Sequence, residues 1–407
     1  MFKLVLIMTR IFYLCSISLA FILNTVYGQA LPAGEPQKLG IDQARLEHAD
    51  EIIKTAVENK EIPGAVFLIT RHHKIVWRKA FGYKEILPRQ RKMKADDIFD
   101  LASLTKPMVA AASIMILVDR GKLRLLDKVS RYFPDFIPWL DDSSKHKTDI
   151  RLIHLLTHTS GLPPYAPVKK LEEKYGAPAP DSLLKYIAAV KRHHKPGTYF
   201  KYSCLNFITL QRVVEKVSGQ PLADFSWENI FKPLNLKDTF FKPAEELLDR
   251  CVPTEILKNE DKPLIGKVHD PLARIMMDCN SGNAGLFSTA DDMAVYASML
   301  LNGGEFNDTR ILSKAAVRAL ISLPQGYEEF GRSLGWDLNS DYSSNQGDLF
   351  SKDTFGHTGY TGTSMIIDPQ TETVVILLTN RAHPHDKGSV VRLRSLVANV
   401  IAGAVLD

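Results

Sequence analysis

Four cysteines in 407 residues are too few for a disulfide framework. Cys15 lies in an N-terminal apolar run, so Cys204, Cys251 and Cys279 permit one bridge at most and stability has to come from a core. Charge of one sign is equally scarce. Lysine and arginine number 51 against 46 acids, a net charge of +5 with no basic block, which implies neither nucleic acid nor an anionic membrane as partner. No period of about 20 to 50 residues repeats, which argues against solenoids and propellers. The chain also lacks G-x-S-x-G, G-x-x-x-x-G-K-[ST] and G-x-G-x-x-G, so an α/β-hydrolase elbow and nucleotide loops are not expected. His72–His73, His193–His194 and His383 with His385 join no H-E-x-x-H pattern, and adjacent histidines on a strand point to opposite faces. Neither a metal nor an organic cofactor is expected.

What is present is the composition of a core-forming globular chain, with 45% apolar and 24% charged residues. Lys3 and Arg10 precede an apolar run that ends in the small residue Gly28, the layout of a secretory signal. Cleavage after Gly28 is expected, which assigns residues 1–28 to a signal peptide and the protein to the periplasm or the outside of the cell. The alternative is an uncleaved anchor, although the run is shorter than the about 20 residues of a membrane span. Loss of Lys3 and Arg10 with no acid takes the charge from +5 to +3. Residues 29–40 read as a Pro/Gly linker and 41–407 as one domain.

Apolar spacing of three and four over 41–59 predicts a helix, and two β-branched and aromatic runs over 64–83, joined by a polar turn at 71–74, predict a hairpin. A long apolar helix is predicted from Leu104 to Arg120, followed by helices and Pro/Gly loops to about residue 330. Strands return in TSMIIDPQ and TVVILLTNR, and a helix closes the chain. The expected class is α+β: an antiparallel sheet from about 41–100 and 331–407, flanked by helices, with a mostly helical region of about 101–330 inserted.

The stretch ASLTKPMVA places Ser103 three residues before Lys106, a spacing that Ser144 with Lys147 and Ser182 with Lys185 share by accident. Only Ser103 carries a positional argument. Pro107 is tolerated in a helix only within about its first four residues, which puts Ser103 and Lys106 in the first turn. There the helix end is expected to lower the lysine pKa and free an amine to take a proton, with a backbone N–H available to a developing oxyanion. The competing role for Ser103 is an N-cap beside a solvated lysine. Tyr202 in PGTYFKYSCLNF follows a Pro-Gly turn at a helix start and could relay a proton next to an ammonium. FGHTGYTGT packs three glycines around His357 and Thr358 before a strand, which would let the backbone approach a ligand. His158 in LTHTSG is expected to be a buried, hydrogen-bonded turn residue.

S-L-T-K at 103–106, Y-S-C at 202–204 and H-T-G at 357–359, in that order, resemble the three signature elements of serine β-lactamases and penicillin-binding proteins, in the class C-type branch. IRLIHLLTHTSGLP and GLFSTADDMAVYASMLLNGG are similar to segments of that branch, extending the resemblance over nearly all of residues 40–400. The resemblance implies Ser103 as acylated nucleophile, Lys106 and Tyr202 as proton-transfer pair, and the Ser103 and Tyr360 amides as oxyanion hole. His357 would steer a substrate carboxylate or assist Tyr202, with Thr358 and Gly359 on the binding edge. Cys204 departs from the usual Y-x-N pattern. A thiol donates and accepts more weakly than an amide, which favours an ester or another amide over a β-lactam. Asn206 sits roughly 200° round the helix from position 204. The expectation is a monomeric serine hydrolase of a small-molecule or peptide amide or ester (β-lactam, D-alanyl peptide or short ester), touching a membrane only through an uncleaved leader. The alternative is a non-catalytic binder of penicillin or cell-wall peptides with the same fold.

Overall fold

In the computed structural model, residues 31–406 are described, and the expected signal peptide lies outside them. Helix α1 (Gln43–Glu58) buries Leu46, Ala49, Ile53 and Ala56 on one face, and the Asp42 side chain caps it by accepting from the Ala44 N–H at 2.9 Å. Strands β1 (Gly64–Arg71) and β2 (Lys74–Glu85) follow as the expected hairpin. Its two turn residues, His72 and His73, both have positive φ (48° and 59°), the backbone of the tightest hairpin turns.

The last strands, β4 (Phe355–Thr358), β5 (Thr363–Asp368) and β6 (Thr373–Thr379), return to this hairpin. With β3 (Arg91–Lys92) they form one antiparallel sheet of order β4-β5-β6-β1-β2-β3. The expected α+β class is therefore the observed one. β1 and β6 are buried on both faces, and their alternation sorts the two sides. Val66, Leu68, Ile376 and Leu378 face the helical region, whereas Ala65, Phe67, Ile69 and Leu377 face α1 and the C-terminal helix. FGHT, expected as a glycine-rich approach to a strand, is itself edge strand β4, paired through His357 with Met365.

The predicted helix from Leu104 to Arg120 is three pieces: a 3₁₀ turn at Ala102–Leu104, a wider π-type turn at Lys106–Ala111, and the α-helix α2 (Ala112–Asp119). Pro107 sits at the start of the π-type turn, where its missing N–H costs nothing. By length and composition Ala102–Asp119 could cross a membrane, but 83% of it is buried, so it is the central helix of the larger core. Two more helices matter for the site: α3 (Cys204–Ser218), and α4 (Val391–Ala402), which packs on α1.

Candidate active site

Ser103 stands in a short turn whose backbone is fixed from below. Ala102 has φ 46°, a region costly for a residue with a side chain, and its N–H donates to Asp100 Oδ1 at 2.8 Å. Asp100 Oδ2 accepts from the His269 N–H at 2.7 Å. Burial raises the Asp100 pKa, against these hydrogen bonds. Thr105 Oγ1 donates to the Ala102 carbonyl at 2.7 Å and accepts from the Leu286 N–H at 3.1 Å. The nucleophile candidate is thus held on a rigid corner.

Lys106 is fully buried one turn on, and its Nζ donates to Ser103 Oγ at 3.0 Å and to the Asn283 carbonyl at 2.8 Å. It lies 5.0 Å from the centre of the Tyr202 ring, with Cys204 beside it. The expected fall in the lysine pKa is corrected here. Burial does act to lower it, but Cys204 and Tyr202 around the amine outweigh that and the net shift is upward, so Lys106 rests as an ammonium. Burial raises the Cys204 thiol, while the Lys106 charge pulls it down.

His357 comes to the same place on β4, its ring centre 6.2 Å from that of Tyr202. Its Nε2 accepts from Arg332 Nη2 at 3.3 Å and its Nδ1 donates to the Thr358 carbonyl at 2.9 Å, so both ring nitrogens are in use. Burial first, then the Arg332 and Lys106 charges, depress its pKa well below 6.5. A neutral ring leaves His357 to act on a substrate carboxylate or on Tyr202 without a charge of its own. A buried Arg332–Asp337 ion pair at 2.9 Å stands behind it.

Ser103, Tyr202 and Cys204 thus surround the Lys106 amine with His357 beside Tyr202, while Thr358, Gly359 and Tyr360 line the wall of a cleft of about 470 Å³ that also contains Ser103, Tyr202 and His357. Gly359 is glycine for lack of room: a β-carbon would stand 2.3 Å from the Leu101 carbonyl oxygen. The turn it opens is fastened to the nucleophile's strand, Thr361 Oγ1 donating to Asp100 O at 2.7 Å and Thr363 Oγ1 to Leu101 O at 3.1 Å. Those bonds hold the turn where Tyr360 and Ser103 line the same cleft. His158 is buried as expected, its Nδ1 accepting from the Ser203 N–H (3.0 Å) and from Asn206 Nδ2 (3.1 Å), and it stacks on Tyr202 at 4.4 Å. Asn206 is consumed there and in accepting from Ser160, so it does not replace the amide absent at position 204. His383 is structural, accepting from the Ile86 N–H at 3.0 Å.

Four residues of this site were not picked out from sequence: Asn283, whose carbonyl holds Lys106, the Arg332–Asp337 pair, and Arg394 of α4. None stands in a motif with a local spacing.

A serine hydroxyl bonded to a buried lysine, with a tyrosine ring beside the same amine and a glycine-rich edge strand lining the cleft, is the site of a serine hydrolase. The comparisons narrow the class to a family. The β-lactamase family model matches residues 49–399, and the chain belongs to the β-lactamase family. It is 34% identical over 364 residues to a Bacillus subtilis (strain 168) protein named N-acetylmuramyl-L-alanine amidase, covering 83% of this chain and 81% of that one. It is 30% identical over 397 residues to an Escherichia coli (strain K12) protein described as a D-alanyl-D-alanine carboxypeptidase, covering 91% and 90%. Two solved structures share the fold. EstCE1, a hydrolase with promiscuous acyltransferase activity, aligns with TM-score 0.72 at 24% identity, covering 89% of this chain and 99% of its own. The class C β-lactamase of Rhodobacter sphaeroides aligns with TM-score 0.65 at 21% identity, covering 88% and 99%.

Proposed function

We propose that the protein is an exported hydrolase that cleaves an amide or ester through an acyl-enzyme on Ser103, with cell-wall-type peptides as its substrate class. The observation that carries the reading is the 3.0 Å bond from the Lys106 ammonium to Ser103 Oγ at the cleft floor. The names of the two relatives support a peptide amide, and EstCE1 extends the chemistry to esters.

In the proposed reaction Tyr202 acts as a phenolate favoured by the neighbouring Lys106 ammonium, and it takes the proton of Ser103 as Oγ bonds to the substrate carbonyl carbon. The carbonyl oxygen takes the negative charge beside the Ser103 and Tyr360 N–H groups. Collapse breaks the bond to the leaving nitrogen or oxygen, which receives the proton from Tyr202. Water repeats the sequence, its hydroxyl ending on the acyl carbon and its proton on Ser103. Lys106 stays charged throughout and screens the negative charge that moves between the Oγ and phenol oxygens.

Intact mass and peptide mapping after incubation with a fluorophosphonate test the nucleophile. An adduct on Ser103, absent in Ser103→Ala, is expected; labelling elsewhere or none refutes the assignment. Turnover of nitrocefin, a p-nitrophenyl ester, a D-Ala-D-Ala peptide and an N-acetylmuramyl-L-alanine peptide then identifies the bond. Weak nitrocefin turnover is expected, because Cys204 stands where an amide would grip the lactam side chain. Stoichiometric acylation with no turnover of any of the four would mark a binding protein instead. N-terminal sequencing of the secreted chain tests export, with Gln29 expected as the first residue.

A further inference from the structure

Arg394 is buried on α4, and among the described residues no carboxylate pairs with it. Burial, and then the charge of Arg381, push its pKa down to about 9, so the fold holds this cation against a solvation cost. Its polar contacts are all neutral oxygens. Nη1 donates to Asn345 Oδ1 at 3.2 Å, and Nη2 donates to the carbonyls of Gly359 at 3.0 Å and Thr363 at 2.8 Å. Those two carbonyls close the turn that carries Tyr360, since the Gly359 N–H also donates to Thr363 O at 2.7 Å.

The Gly359 carbonyl and the Tyr360 N–H are two ends of one conjugated peptide unit. A cation on the oxygen draws electron density through that unit and leaves the N–H a stronger donor, as chains of hydrogen bonds polarise one another in a low dielectric. The next peptide is held too, because Arg381 donates through Nε at 2.8 Å and Nη2 at 2.6 Å to Tyr360 O, and the Tyr360 hydroxyl donates to Asp386 at 2.9 Å. The Tyr360 N–H is therefore clamped on both sides and charged from behind.

We propose that Arg394 is a positioning residue for the oxyanion hole, orienting and polarising the Gly359–Tyr360 peptide so that the Tyr360 N–H meets the negative charge of the transition state. The inference rests on the acyl-enzyme reading of Ser103. Because Arg394 also lines the cleft, it invites a different role, direct capture of a substrate carboxylate. The two roles separate cleanly. Polarisation acts in the transition state and on any acyl group, whereas capture acts on binding and only on anionic substrates.

The test compares wild type, Arg394→Met, Arg394→Gln and Arg394→Lys on neutral p-nitrophenyl acetate, together with inhibition by phenylboronic acid, which becomes tetrahedral on Ser103. For Arg394→Met, kcat should fall about 10- to 100-fold with KM within about twofold, a share of the 10²–10³ that deleting a whole oxyanion donor costs. The boronate inhibition constant should weaken by a similar factor. Arg394→Lys, which keeps the charge, should recover more of kcat than Arg394→Gln, which keeps only a donor. Should the Met variant fail to fold, judged by its circular dichroism, the Lys and Gln pair decides alone. Unchanged kcat on the neutral ester, or a loss confined to KM, overturns the proposal. Fluorophosphonate labelling of the wild type keeps the two readings apart: a wild type labelled at Ser103 with kcat retained in the variants sinks only the role of Arg394, and an unlabelled wild type sinks both.

Discussion

His357→Gln tests the electrostatic account of the site most directly. In the folded protein the ring is neutral, buried and bonded at both nitrogens, with Arg332 and Lys106 opposing a proton. In the unfolded chain the same ring titrates at the ordinary 6.5. Below that pH the unfolded state binds a proton that the folded state refuses, so stability rises with pH and is lost on acidification. Each pH unit is worth about 1.36 kcal/mol per group, so moving from pH 7.5 to 5.5 costs wild type about 1.4 kcal/mol at this position, with the folded ring neutral throughout. Other groups titrate in the same window, notably Asp292, pushed up to about 6 mainly by burial and of opposite sign. They cancel in the difference between wild type and variant. Urea unfolding of both proteins at pH 7.5, 6.5 and 5.5 should therefore show the variant gaining about 1.4 kcal/mol relative to wild type across the range. A difference that stays flat with pH, or an NMR titration of the folded His357 ring near 6.5, would refute the reasoning.

Lys106→Met should lower kcat/KM by at least about 10³-fold, roughly 4 kcal/mol, since it removes the ammonium that orders both Ser103 and Tyr202; steady-state kinetics on a p-nitrophenyl ester measures it. Asp337→Ala strips from Arg332 the one carboxylate paired with it among the described residues and should destabilise the fold by about 3–5 kcal/mol, read as a shift of the urea midpoint. Phe67→Ala, in the middle of β1 against α1 and α4, should cost about 3–5 kcal/mol while kcat of the folded fraction stays within about twofold. A Phe67→Ala protein as stable as wild type would contradict the packing described for that face.

Local pattern made much of the fold legible. The three-four spacing of Leu46, Ala49 and Ile53, the polar turn at His72–His73 between two β-branched runs, and the two terminal strands all depend on neighbours within a few residues. Proline at 107 located the helix start, although not that the chain would enter through 3₁₀ and π-type turns. The members of the constellation could be named because each sits in a short motif. Their charge states could not. Lys106 takes its upward shift from Cys204 and Tyr202, about a hundred residues away, and His357 takes its downward shift from burial against Arg332. Arg332, Asp337, Asn283 and Arg394 are isolated polar residues in sequence, and only the fold gives them partners.

The fastening of Thr361 and Thr363 to Asp100 and Leu101 spans about 260 residues, and Arg394 closes the turn from the final helix. During synthesis the serine thus emerges long before the groups that would stabilise its reaction. A nascent or prematurely terminated polypeptide carries Ser103 but lacks the Gly359–Thr363 turn and the Arg394 side chain that complete the wall of its cleft.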